Sequence, residues 1–142
     1  MIVACGFQLR GSFDANFESI AVYGGSPGLN KYLLKRFKQN GIKIDLENPE
    51  KILEILNDKL DKKILSLSRS GSVKEYELNY FVTYRYKSSG REWNKEINKE
   101  ITRDFTYDDD NRVAKELEEK NLVQGMRDEI IRSIVSQISI SK

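Results

Sequence analysis

The chain has 142 residues and a net charge of +2, with 39% apolar and 32% charged residues, which is typical of one folded globular domain. No apolar run is long enough for a membrane-spanning helix, and the mixed charges along the chain argue against nucleic acid as a partner. The absence of histidine excludes Ser-His-Asp and Cys-His catalysis and histidine-ligated metals, and a single cysteine excludes an intrachain disulfide or a Cys-x-x-Cys motif.

The first residues are typical of the end of a bacterial lipoprotein signal. The apolar run Ile2–Ala4 ends in a small residue directly before Cys5, as in a lipobox, where a peptidase cleaves and the cysteine thiol carries diacylglycerol. We therefore predict that Cys5 is the acylated first residue of the mature protein. Residues 1–4 would be the remnant of a signal peptide, and residues 5–16 a small, polar tether. The alternative for a lone cysteine is a buried core residue.

The segment after the tether predicts a strand followed by a helix. Phe17–Gly24 has the length and apolar content of a strand, and the glycines after it end the pattern. The glycine-rich run at residues 24–28 lacks the Gly-Lys-Ser/Thr ending of a phosphate loop, so we interpret it as a turn between strand and helix. Three apolar residues then recur with helical spacing before the stop signal Asn40-Gly41: Leu29, Leu33 and Phe37.

Residues 52–64 fit either a helix or a strand. Four aliphatic residues recur every fourth position, a spacing that fits a helix and also one face of a strand: Ile52, Leu56, Leu60 and Ile64. We choose the strand because the segment leads into a hairpin-like turn at Ser70-Gly71 and then into a clear strand from Val73 to Lys87. That strand has an apolar, tyrosine-rich face, which we expect to cover a layer of helices, with acyl-chain contact as the alternative.

The last third predicts a further strand and a long helix. Between residues 93 and 107, the apolar positions are Trp93, Ile97, Ile101, Phe105 and Tyr107. Their spacing also permits a helix, but the polar opposite face and the hairpin with the preceding strand favour a strand. Asp108–Asp110 would cap a terminal helix that continues to Ile138. Gly125 inside this helix costs about 1 kcal/mol relative to Ala, which close packing would explain. Residues 17–142 thus predict an α+β two-layer sandwich of order β-α-β-β-β-α, with two helices on a mostly antiparallel four-stranded sheet.

Few residues are candidates for catalysis or for binding a ligand. Glu96 and Glu100 are the best pair of catalytic carboxylates, but they share a polar strand face without an evident pocket, which favours a solvated surface. Asp108–Asp110 lack the spaced ligands of an EF-hand loop and fit helix capping better than a cation site. Arg69 at the hairpin and Lys115 early in the last helix are candidate phosphate contacts, with an ordinary surface role as the alternative. Nothing in the sequence indicates a cofactor.

The N-terminal sequence CGFQLRG resembles the mature N-terminus of LptE lipoproteins, in which a lipidated cysteine precedes Gly, an aromatic, a polar residue, Leu and Arg. The resemblance covers nearly the whole chain. Its further motifs are the Leu-x-x-x-Phe helix ending at Asn40-Gly41-Ile42, the turn Arg69-Ser70-Gly71 followed by Glu75-Tyr76, and the terminal helix with Lys115 and Met126.

The resemblance implies a non-enzymatic, lipid-anchored protein of the Gram-negative outer membrane, with two helices on a four-stranded sheet. Its domain would lie on the periplasmic side, plug and assemble the β-barrel LptD, and bind lipopolysaccharide during transport to the outer leaflet. The family's lipopolysaccharide-contacting basic positions correspond to Arg69 and Lys115, whereas the phenylalanine that precedes this arginine in some members is Ser68 here. The order of strands predicts that both cations lie at the same end of the domain.

Two other functions fit the residues. One is a generic envelope lipoprotein that binds another protein or a small ligand. The other is a carboxylate-dependent hydrolase that uses Glu96 and Glu100.

Overall fold

The computed structural model describes residues 15–140 as two helices packed on one face of a five-stranded sheet. The elements are β1 Ser19–Gly24, α1 Pro27–Gln39, β2 Lys43–Ile44, β3 Lys51–Leu67, β4 Val73–Ser88, β5 Ile97–Thr106, a 3-10 turn at Asp109–Asn111 and α2 Arg112–Ile140. The sheet order is β2-β1-β3-β4-β5, with β1 parallel to β2 and β3 and the other pairs antiparallel.

The predicted α+β architecture is confirmed, with one addition. The two-residue strand β2 pairs with β1 and was not expected from the sequence. Cys5, the signal remnant at residues 1–4 and the tether up to residue 14 lie outside the described residues. Within the described chain, no helix is both long and apolar enough to cross a membrane.

The core lies between the sheet and the two helices. α1 contributes Leu29, Leu33 and Phe37, all fully buried, as the sequence predicted. The tyrosine-rich face of β4 covers the helices, because five of its residues are buried: Leu78, Tyr80, Val82, Tyr84 and Tyr86. At roughly 1.5 to 3 kcal/mol for each large apolar side chain, this layer is the main source of stability.

Residues 24–28 form the predicted turn between strand and helix. Gly24 has φ +75°, and a Cβ there would lie 2.2 Å from the carbonyl oxygen of Ile55, so only glycine fits. Ser26 then caps α1, and its backbone N–H and hydroxyl both donate to the carboxylate of Asp58, at 2.6 and 2.5 Å. These bonds fix the beginning of α1 against the middle of β3.

β3 is a strand, as predicted, but its four regularly spaced aliphatic residues do not share one face. A β-bulge between Ile55 and Asn57 shifts the register, so the inward face changes from odd to even positions along β3. Ile52 therefore lies opposite Lys87 and faces outward, whereas Leu60 lies opposite Tyr80 on the inner face. The prediction of a single aliphatic face is wrong because the sequence pattern does not reveal the bulge.

Two smaller predictions are also wrong. Trp93 does not share the inner face with Ile97, because the chain joins the ladder only at Ile97. The Trp93 ring instead stacks under the guanidinium of Arg85, 4.3 Å from the ring centroid, and near the outward-facing Lys87. Close packing does not explain Gly125, since a Cβ at that position would meet no atom within 4 Å.

Candidate functional site

Arg69 and Lys115 lie at the same end of the sheet. Arg69 is in the turn between β3 and β4, where the backbone N–H of Gly71 donates to the carbonyl oxygen of Ser68 at 3.0 Å. Thr106, the last residue of β5, lies opposite Glu75 near the start of β4. The Lys115 Nζ donates to the Thr106 hydroxyl at 3.0 Å. We call the turn at residues 68–72, the last residues of β5 and the first turn of α2 the hairpin end.

The two cations differ in their surroundings. Arg69 is exposed and makes no ion pair with any residue from 15 to 140. The Lys115 side chain is only 19% exposed and pairs with Glu118 at 2.9 Å. Arg69 thus offers a free guanidinium fork, while Lys115 must exchange Glu118 for any anionic ligand. Because Lys115 and Glu118 form an i,i+3 pair of one helix, a type worth about 0.2 to 0.5 kcal/mol, the exchange costs little.

Sequence reasoning missed a third cation at this end. The Lys62 Nζ lies 4.2 Å from the centroid of the Tyr76 ring and pairs with Glu119 of α2 at 2.5 Å. Tyr76 is stacked on Phe105 with 5.6 Å between ring centroids and meets Tyr107 edge-on at 5.3 Å. Lys62 therefore crosses an aromatic cluster to reach the helix. Its inward orientation follows from the register after the β-bulge, where Lys62 lies opposite Leu78.

The structure shows where the acidic residues lie that the sequence offered as candidate catalysts or metal ligands. The Asp108 carboxylate accepts from the backbone N–H of Asp110 at 3.0 Å and from the Asn111 side chain at 3.0 Å, as a helix cap does. Glu96 precedes β5, and Glu100 lies on the exposed outer face of that strand. Within residues 15–140, no group of three or more potential metal ligands is close enough to hold an ion.

A groove of about 620 Å³ follows the side of α2 that faces the β5 edge. Leu117, Leu122 and Met126 form its apolar lining, and the missing side chain of Gly125 widens it. Arg103 and Glu129 form an ion pair at its border. The groove therefore lies beside the first half of α2, on the opposite flank of the helix from Lys62.

Comparisons with known proteins identify a family and a shared fold. The model of the LptE family, described as lipopolysaccharide-assembly, matches residues 17–138. The rare lipoprotein B from Shewanella oneidensis is 29% identical, with a TM-score of 0.70 over 87% of this chain and 96% of its own. An uncharacterized lipoprotein B from Nitrosomonas europaea is 30% identical, with a TM-score of 0.70 over 94% of this chain and 90% of its own.

A minor lipoprotein from Acinetobacter baumannii, 18% identical, shares the fold with a TM-score of 0.65 over 87% of this chain and 92% of its own. No curated protein sequence gives a significant match.

Proposed function

Because the chain belongs to the LptE family of lipopolysaccharide-assembly lipoproteins, we propose that it binds lipopolysaccharide at the hairpin end and plugs a β-barrel partner of the LptD kind. The observation that carries the proposal is the placement of Arg69 and Lys115 at one end of the sheet. The family is one of assembly proteins, so the protein acts through its shape, its lipid anchor and its contacts with lipopolysaccharide and the barrel.

The two cations suit the phosphates of lipopolysaccharide in different ways. Arg69 presents a planar fork that donates two parallel hydrogen bonds to one phosphate, whereas the Lys115 ammonium is a compact point charge. Each contact contributes about 1.5 to 3 kcal/mol if it is partly desolvated in the complex. The partial burial of Lys115 favours such desolvation on its side of the site.

The lipid anchor would be attached at the other end of the domain. Asn16, close to the first described residue, donates a side-chain hydrogen bond to the backbone carbonyl of Ser139 near the end of α2, at 2.5 Å. The 17 residues of β3 lead from this end to the hairpin and span roughly 55 Å. We infer that Cys5 is acylated in the periplasmic leaflet of the outer membrane. The domain is then long enough to carry the hairpin end past a hydrocarbon layer about 30 Å thick.

The uncovered face of the sheet suits a polar barrel interior. Its outward side chains pair across strands, with Thr83 donating to Asn98 at 2.6 Å and Thr102 donating to Asn79 at 2.7 Å. Lys63 pairs with Glu77 at 3.0 Å on the same face. The lumen of an outer-membrane barrel is also polar, so such a surface stays solvated or hydrogen-bonded inside it. This supports the plug arrangement.

The alternative is a generic envelope lipoprotein with another protein or small ligand as partner. Binding to purified lipopolysaccharide separates the two. We expect saturable binding that weakens as salt is added, and much weaker binding to phosphatidylglycerol vesicles of equal charge. Equal binding to both lipids, or no binding to lipopolysaccharide, would favour the generic alternative.

A further inference from the structure

β3 and the start of α2, which lead to and from the hairpin end, carry most of the large apolar side chains that the described chain leaves uncovered. Of the ten such residues between positions 15 and 140, seven lie in β3 from its bulge onward or in the first two turns of α2: Leu56, Leu60, Ile64, Leu65, Leu67, Val113 and Leu117. Exposed apolar side chains concentrated in one part of a fold point to a place of interaction.

The fold explains why β3 is uncovered there. β1 ends at Gly24 opposite Ile55, so no described strand lies beside β3 beyond its bulge on that edge. α1 begins at Pro27 beside Asp58 and runs toward the other end of the sheet. Leu60 and Ile64 consequently face the helix side of the sheet but remain 39% and 55% exposed. We call these two residues the aliphatic row.

Cations border the aliphatic row. Lys62 lies between its two members on the same face, and alternation along β4 places Lys74 on that face beside Tyr76. Arg69 follows at the turn. Arg69 and Lys74 make no ion pair with any residue from 15 to 140. Apolar surface next to unpaired positive charge is complementary to an anionic amphiphile.

We propose that the aliphatic row binds acyl chains of lipopolysaccharide while the neighbouring cations bind its phosphates. This inference rests on the proposed function and assigns the hydrocarbon part of the same ligand. A polar barrel lumen offers no apolar surface that would cover Leu60 and Ile64, whereas an acyl chain removes them from water. The acyl chain would lie along β3, beside the aromatic ring of Tyr76 and the alkyl stem of Lys62.

The test compares intact lipopolysaccharide with its fully deacylated, phosphorylated saccharide. The variant Leu60→Ser/Ile64→Ser should bind intact lipopolysaccharide about tenfold more weakly, since two apolar contacts are lost, and bind the saccharide as the wild type does. Leu46→Ser/Ile140→Ser is the matched control, because these residues are 64% and 75% exposed and lie away from the hairpin end. The control should bind both ligands normally, and thermal melting should show both variants folded.

Each other outcome is decisive. Unchanged binding of intact lipopolysaccharide by the Leu60→Ser/Ile64→Ser variant would overturn the acyl-chain assignment and leave the proposed function standing. An equal loss for the saccharide would also overturn it, since the effect would not depend on hydrocarbon. Normal lipid binding with reduced co-purification of a β-barrel would assign the row to the barrel instead. A wild-type protein that binds no lipopolysaccharide would reject both proposals.

Discussion

Replacing Arg69 and Lys115 together by Asp is expected to weaken lipopolysaccharide binding by about 100-fold or more. The double variant removes two donors and places two negative charges opposite phosphate. The loss should be greatest at low salt, where charge interactions are least screened. Thermal stability should change little, because Arg69 is exposed and Lys115 contributes only its bonds to Thr106 and Glu118. Titration calorimetry at two salt concentrations measures the effect.

A control variant carries the same charge change at the opposite end of the sheet. Arg91 and Lys95 are exposed in the connection between β4 and β5. Arg91→Asp/Lys95→Asp should bind lipopolysaccharide nearly as the wild type does, since only the net charge has changed. If both double variants lost affinity equally, binding would depend on overall charge, and the site at the hairpin end would be rejected.

Replacing Cys5 by Ser, with a complete signal sequence upstream, is expected to abolish lipid labelling, and to abolish membrane retention of the protein that is not bound to its barrel partner. Without the thiol no diacylglycerol can be attached, and the remaining N-terminal residues offer no comparable affinity for a bilayer. Incorporation of labelled palmitate and fractionation of cells measure the two consequences. The tether variant Ser12→Ala should keep both the label and the membrane location. Mass spectrometry showing unmodified Cys5 in outer-membrane material would contradict the acylation of this residue.

The order of the main elements was predictable because most of them carry a local signal. The helical spacing of Leu29, Leu33 and Phe37 and the alternation along β4 each reflect one buried face. β2 could not be predicted, since two residues have no periodicity. The apolar pattern also could not predict the position of Trp93, because its ring contacts Arg85 and Lys87 of a neighbouring strand.

The site was predictable only where it depends on topology. The return of β5 toward the hairpin is enough to bring Lys115 near the end that carries Arg69. Alternation already groups Lys62 with Leu60 and Ile64, but it also groups them with Ile52, which one bulged residue at position 56 places on the opposite face. A single extra residue reverses every later side chain of a strand, and alternation does not show where it is inserted.

Purification of the tagged full-length protein from outer membranes in a mild detergent tests the central claim most directly. A plug must remain with its barrel when lipids are removed, so we expect one large β-barrel protein in stoichiometric amount, together with bound lipopolysaccharide. Extraction of the intact, acylated protein without a large β-barrel would contradict the account.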